Sequence, residues 1–484
     1  MKKHIYNMVW TKRIAANRLI LCALLMLAVL VSAGYGYGAP PEKTGSTFKM
    51  PAYEKVVLAN GLTVYLMEQH KVPLIYVSAI FPAGAINDRT KNGLASFTAE
   101  CLPFGTKSYT KQQIEEKLDF LNARLYCTAG PEVARLSLSF LHSDMDSVLP
   151  IMREMIVCPV FDRTEVEKEK KRLLLELEQQ KERPAQVIQS YFNKFIFGND
   201  AYGNPISGTR STAASLTCED LKSFYQTYYK PQGSAIAVVG DFNTAEMKGK
   251  IQDLFKDWQV DGAPQPIGER PLPVCTRSRV LLINKEDATE TRFMIGSIGV
   301  NQGNPDYTGI QLVNTILGGR FTSWLNDELR VKNGLTYGAK SMFNCLKTAG
   351  TFVVGSFTRT ENTIRALDLT VEVLNRLHQK KLDPELLASA KNYLKGQFPP
   401  TVETAGQLAQ LLTHMFYYGL TDSYINDFEK NVDSITLEKT NEIIARYFPK
   451  DKLQFVLIGK ASQIADSVRK YGEVTRKEIK DDSF

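Results

Sequence analysis

Histidines, cysteines and carboxylates are the side chains in this chain that could hold a metal or act as a nucleophile. A zinc site on one helix takes two imidazoles at i and i+4, so that both leave the same face. The five histidines are His4, His70, His142, His378 and His414, and no two lie within a helical turn of each other. A zinc site assembled from distant histidines is not expected. Ser96 and Cys101 carry nucleophilic atoms, but neither has a histidine close in sequence to act as base. Past the N-terminal segment the cysteines are Cys101, Cys127, Cys158, Cys218, Cys275 and Cys345. They form no C-x-x-C pair, so neither a metal knuckle nor a thioredoxin-type site is indicated. Most read as buried free thiols.

The first residues read as an export signal. Lys2, Lys3, Lys12, Arg13 and Arg18 form a basic stretch, and Leu19 to Val31 is an apolar run shorter than a membrane span needs. Small residues at Ser32-Ala33 and Gly38-Ala39 offer cleavage sites. The expectation is a signal over residues 1–39 and an exported product, periplasmic or secreted. An uncleaved inner-membrane anchor is the alternative. Residues 1–39 hold five basic side chains and no acids, so their removal takes the net charge from +7 to +2. With no basic stripe interleaved with aromatics, nucleic acid is not an expected partner.

The elements that must position the chemistry come in two copies. Tyr228-Tyr229-Lys230-Pro231 leads into Ser234–Gly240, and Tyr447-Phe448-Pro449 leads into Gln454–Gly459, with both glycines offset by 219 residues. Leu74–Phe81 and Arg292–Ile298 match at a similar offset. A repeat of this length is a duplicated domain rather than a solenoid unit. Four prolines between Pro264 and Pro273 mark a linker. The expected organisation is a domain over 50–262, a linker over 263–274 and a second domain over 275–470. Helix starts are predicted at the capping boxes Thr110-x-x-Gln113 and Thr164-x-x-Glu167, the latter helix running to Glu182 with Pro184 marking its end or a kink. Asp383-Pro384 is predicted to be an N-cap followed by proline at the first helical position. This order suits an α+β fold with helices packed on one sheet face.

Gly93-Leu94-Ala95-Ser96-Phe97-Thr98-Ala99-Glu100-Cys101-Leu102 resembles the motif helix of the insulinase/pitrilysin zinc peptidases, in the branch of the mitochondrial processing peptidase and its bacterial relatives. Asn60–Val64, Phe104-Gly105-Thr106, Ala201–Thr209, Leu317-Gly318-Gly319 and Leu329–Tyr337 carry the same resemblance, which runs from about Lys55 to Ala461. It implies two homologous domains arranged as half of a clam-shell, each a mixed, mostly antiparallel sheet with helices on one face. In that motif two histidines bind zinc and a glutamate is the general base. Here Ser96 and Glu100 take the histidine positions and Ala99 takes that of the glutamate. The count to the family's third ligand lands on Glu176, read here as a solvated or ion-paired helix residue. Two carboxylates without imidazole suit hard cations better than zinc, so no metal is expected in this chain.

The resemblance implies that Arg330 and Tyr337 are an intact pair of the second domain. A tyrosine hydroxyl can donate to a peptide oxyanion and a guanidinium can hold a substrate carbonyl or carboxylate. Leu121-Asn122-Ala123 resembles the start of an edge strand on which relatives lay the substrate, so Asn122 and Ala123 are candidate binding residues. The implied function is the non-zinc subunit of an exported heterodimeric zinc peptidase. Its partner would be a paralogue with an intact H-x-x-E-H motif carrying the zinc, and its substrate a peptide or unfolded polypeptide. The alternative is a non-catalytic peptide-binding or scaffold protein of the same family.

Overall fold

The computed structural model describes residues 48–260, 262 and 271–484. The expected signal over 1–39 and most of the expected linker lie outside the described residues. Two six-stranded sheets carry the fold. The first holds β1 (Glu54–Val57), β2 (Thr63–Glu68), β3 (Leu74–Phe81), β4 (Arg124–Ala129), β5 (Ala134–Leu141) and β6 (Ala235–Gly240) in the order β1-β2-β6-β3-β5-β4. The second holds β7 (Arg279–Asn284), β8 (Glu290–Gly299), β9 (Lys340–Cys345), β10 (Gly350–Arg359), β11 (Gln454–Gly459) and β12 (Glu473–Glu478) in the order β12-β7-β11-β8-β10-β9. Aligning the two orders places β6 on β11 and β3 on β8, the strands picked out by the internal repeat. Most neighbours are antiparallel; β2 with β6, β7 with β11 and β7 with β12 are parallel.

The helices that bear on the site are α1 (Leu94–Glu100), α2 (Lys111–Phe120), α3 (Arg163–Gln180), α4 (Pro184–Phe197), α5 (Tyr307–Asn314), α6 (Pro384–Gln397) and α7 (Ala405–Tyr418). Local chemistry starts several of them as the sequence indicates. Thr110 and Gln113 form both bonds of a capping box on α2, and Asp383 accepts from Leu386 N–H ahead of Pro384 on α6. The start of α3 differs from expectation. Its N-cap is Asp162, which accepts from Thr164 and Glu165 N–H, because a carboxylate reaches both free amides of the first turn. The helix ends at Gln180, and Pro184 opens α4 at its first position.

The central strands are buried on both faces. On β6, Ile236 and Val238 join the core of the first half with Phe97 of α1 and Met152. On its other face α7, a helix of the second half, lies across β3 and β6. The arrangement is reciprocal. Phe455 and Leu457 of β11 face the second half's own core, while Val456 and Ile458 pack with Val187, Tyr191 and Phe192 of α4. Each sheet thus keeps its own helices on one face, as expected, and receives one helix from the other half on the opposite face. The contact is close: a Cβ at Gly296 on β8 would fall 2.9 Å from the Phe192 ring of α4. The second sheet also runs past the expected domain end at 470. Its β12 is an edge strand of mostly exposed charged residues, which carries no apolar alternation to reveal it.

The six described cysteines are free thiols, with Cys101 and Cys218 buried and the rest partly buried. Among the described residues no helix is long and apolar enough to cross a membrane.

Exchange of α4 and α7 makes the two halves one cooperative unit. Phe192→Ala is expected to lower the unfolding free energy by about 3–5 kcal/mol. Single-tryptophan variants keeping Trp258 or Trp324 should report coincident urea transitions. Two separated transitions would show that the halves unfold independently.

Candidate functional site

The motif helix α1 starts on backbone geometry that few residues can supply. Gly93 has φ +96°, and a Cβ there would meet the Ser207 carbonyl oxygen at 2.8 Å. The buried Asp88 carboxylate accepts from Gly93 N–H at 2.8 Å and Ala95 N–H at 2.7 Å, satisfying amides that the helix leaves free. Leu94, Ala95, Phe97, Thr98 and Ala99 are buried, and α1 packs beside β4 and β5. Ser96 and Glu100 remain partly exposed, one turn apart on the same face. The fold therefore presents the two positions expected of a ligand pair, occupied by a hydroxyl and a carboxylate. Ala99, at the general-base position, is fully buried.

Glu100 faces α3, but not in the way the residue count implies. Arg172 Nη2 donates to Glu100 Oε1 at 2.6 Å and the same guanidinium pairs with Glu169. Glu100 also shares a hydrogen bond with the mostly buried Glu169 carboxyl. Glu176, two turns further along α3, is exposed and accepts from Gln180 at 3.2 Å. Burial, then the Glu169 bond and charge, push the Glu100 carboxyl up to about 7, with Arg172 acting against them and Glu176 adding to them. Glu169 is the residue that counting missed. Its spacing to Arg172 (i, i+3) and Glu176 (i, i+7) put it on the relevant helix face and were the available signal.

These groups do not suit zinc. The donors are a hydroxyl and carboxylates, and a guanidinium already neutralises the pair that would approach a metal. Among the described residues no cluster of three or more His, Cys, Asp or Glu is arranged to hold a metal ion.

The loop over 201–209 props this helix from outside. A Cβ at Gly208, φ +76°, would fall 2.3 Å from the Asn92 carbonyl oxygen beside the start of α1. Tyr202 hydrogen-bonds the buried Glu132 in the β4–β5 turn. Glu132 also accepts from Lys347 N–H at 2.9 Å, in the β9–β10 hairpin, and from the Tyr418 hydroxyl at 3.0 Å, on α7. One carboxylate thereby ties the site loop to the second half.

Asn122 and Ala123 lie just before β4. Asn122 has φ +49° and donates to the Asp119 carbonyl at 2.9 Å, while Ala123 donates to that of Leu118 at 2.8 Å. Both amides therefore close α2, so they are not free to donate to an added strand. The open ladder is that of β4, Arg124–Ala129, which among the described residues pairs only with β5.

Arg330 sits on a π-helical stretch, Asp327–Lys332, with its guanidinium 4.6 Å from the Phe321 ring. It makes no ion pair with a carboxylate among the described residues. Gly334, φ +61°, reverses the chain with its N–H on the Arg330 carbonyl at 3.1 Å. Tyr337 follows, 82% exposed and stacked over Phe357, shortly before the edge strand β9. The pair belongs to the second half, and the Ser96/Glu100 face to the first.

The family model Insulinase (Peptidase family M16) matches residues 63–210, and the model Peptidase M16 inactive domain matches residues 215–394. Among curated proteins the chain is similar to "Uncharacterized zinc protease YmxG" of Bacillus subtilis, at 22% identity over 81% of this chain and 95% of that one. It is similar to "Non-peptidase homolog YmxG" of Helicobacter pylori, at 22% identity over 83% and 94%. Among solved structures, a peptidase M16 inactive domain from Pseudomonas fluorescens has a TM-score of 0.79 at 25% identity, covering 84% of this chain and 98% of that one. A protease from Helicobacter pylori shares the fold with a TM-score of 0.77 at 18% identity, covering 85% and 100%.

Asp88 is likewise pushed up to about 7 by burial, against the pull of its two backbone donors. Both carboxyls hold a proton more tightly folded than unfolded, so the folded state binds more protons between about pH 4 and 7. Their contribution to stability is full below about pH 4 and is lost as pH rises through about 7. Glu100→Gln should flatten the fall in urea midpoint between pH 5 and 7.5. An unchanged slope would remove Glu100 from that balance.

Proposed function

Because the chain belongs to the insulinase family, peptidase family M16, we propose that it is the non-zinc subunit of an exported heterodimeric peptidase. In this reading it supplies Arg330 and Tyr337 to the zinc site of a paralogous subunit with an intact H-x-x-E-H motif. The single observation that carries it is the contrast between the two halves. The first half's ligand face is neutralised internally by Arg172, whereas the second half presents an exposed tyrosine and a guanidinium without a carboxylate partner among the described residues. The bound metal of the partner would polarise a peptide carbonyl and activate water. This chain's part is to hold the substrate by the Arg330 guanidinium and donate the Tyr337 hydroxyl to the developing oxyanion. The open edge of β4 supports a role in holding an extended peptide by backbone bonds.

The second reading is a peptide-binding or scaffold protein without a catalytic contribution. The open β4 edge suits it equally, and a relative bearing the name non-peptidase homolog favours it.

Quenched-fluorescent peptides should be cleaved by a mixture of this chain and an H-x-x-E-H paralogue, and by neither alone. In the mixture, Arg330→Ala and Tyr337→Phe should each lower kcat/KM by about 100-fold. Activity of the paralogue alone, unchanged on mixing, would leave the scaffold reading. Cleavage by the mixture that both variants leave intact would assign completion of the site to other residues.

A further inference from the structure

A cavity lies on the face of the first sheet opposite α1. It is open to solvent on one side and offers about 530 Å³ between α5, α6, α7 and Arg135 of β5, a volume in the range of small-molecule sites. Among the described residues Arg135 is the one charged residue in its wall. It leaves β5 on the side away from Leu136 and Leu138, and Nη1 donates to Ser78 Oγ at 2.8 Å and Thr413 Oγ1 at 2.6 Å. Those neutral oxygens fix the guanidinium without compensating its charge, and Arg135 makes no ion pair with a carboxylate among the described residues. A cation held part-buried without a counter-ion is costly unless an anion completes the site.

The rest of the wall says what kind of anion. His414 stands beside Arg135; burial and that neighbouring charge push its pKa down to about 4, so it is a neutral imidazole near pH 7. Gln311 and Gln410 add amide groups. The far wall is apolar, built on Phe398 and Phe428 stacked at 4.2 Å, with Leu411 alongside. One fixed cation suits a singly charged group better than a phosphate, and the apolar wall calls for a hydrocarbon body.

We propose that this cavity binds a small organic monocarboxylate with an aromatic or branched aliphatic body, its carboxylate on Arg135 and its apolar end against Phe398 and Phe428. The site is separate from the Ser96/Glu100 face and does not depend on any peptidase role.

The test is titration calorimetry of the full chain with 3-phenylpropionate and 4-methylpentanoate, each beside its primary amide. At least one acid should bind with Kd of about 1 mM or tighter, and its amide at least about 10-fold more weakly. Arg135→Gln should weaken the acid by a similar factor. Because Arg135 also holds Ser78 and Thr413, Leu411→Trp serves as a second variant that fills the cavity and leaves the guanidinium in place. It should abolish binding with the circular dichroism spectrum unchanged. Absence of binding by both acids overturns the proposal. So does equal binding of acid and amide, or undiminished binding by Leu411→Trp.

Discussion

The constraint on which this molecule rests is that its central strands have no face to spare. β6 and β11 are buried along their whole length, and a duplicated half supplies enough helices for only one side. The second side is closed by exchange, with α4 covering β8 and β11 and α7 covering β3 and β6. Burial of large aromatics such as Tyr191, Phe192 and Phe197 in that seam supplies the apolar area that joins the halves. α1, β4 and the 201–209 loop are held at fixed mutual positions by a first half that cannot be separated from the second.

Within that frame the motif helix has kept its architecture and changed its chemistry. The left-handed glycine, the Asp88 cap and the one-turn spacing of two outward positions would serve a metal site as well as the present residues. The one cation paired with that face among the described residues is the Arg172 guanidinium, which draws Glu100 and Glu169 together and offsets part of their repulsion. A cation on a side chain differs from a bound ion in one decisive respect: it has no open position through which to polarise a substrate.

Much of this was legible in the sequence, and for identifiable reasons. Repeats, capping boxes and apolar strands are local patterns, so the duplicated strands, the α2 cap and the Asp383-Pro384 helix start were readable from residue order. Insulinase-family membership and the α+β class were readable from the segments around Gly93, Tyr202 and Tyr337. The Glu100–Glu169 pairing was not, because counting to Glu176 gives a position along a helix and not the turn that meets α1. The use of the Asn122 and Ala123 amides in closing α2 was hidden because the same three residues read equally well as the beginning of a strand. Helix exchange and the Arg135 cavity depend on which half covers which sheet, which no local pattern encodes.

The exchange of α4 and α7 also bears on how the two copies drift apart in evolution. In a solenoid, a substitution is answered within its own repeat or by the next. Here a change on the outer face of β11 is answered on α4, more than 200 residues earlier in the chain. The copies are therefore free to lose resemblance to each other while each stays matched to the other's helix. An aromatic α4 is fitted to β8 and β11, and an α7 bearing Thr413 to β3 and its Ser78, so each helix is matched to the sheet of the other copy.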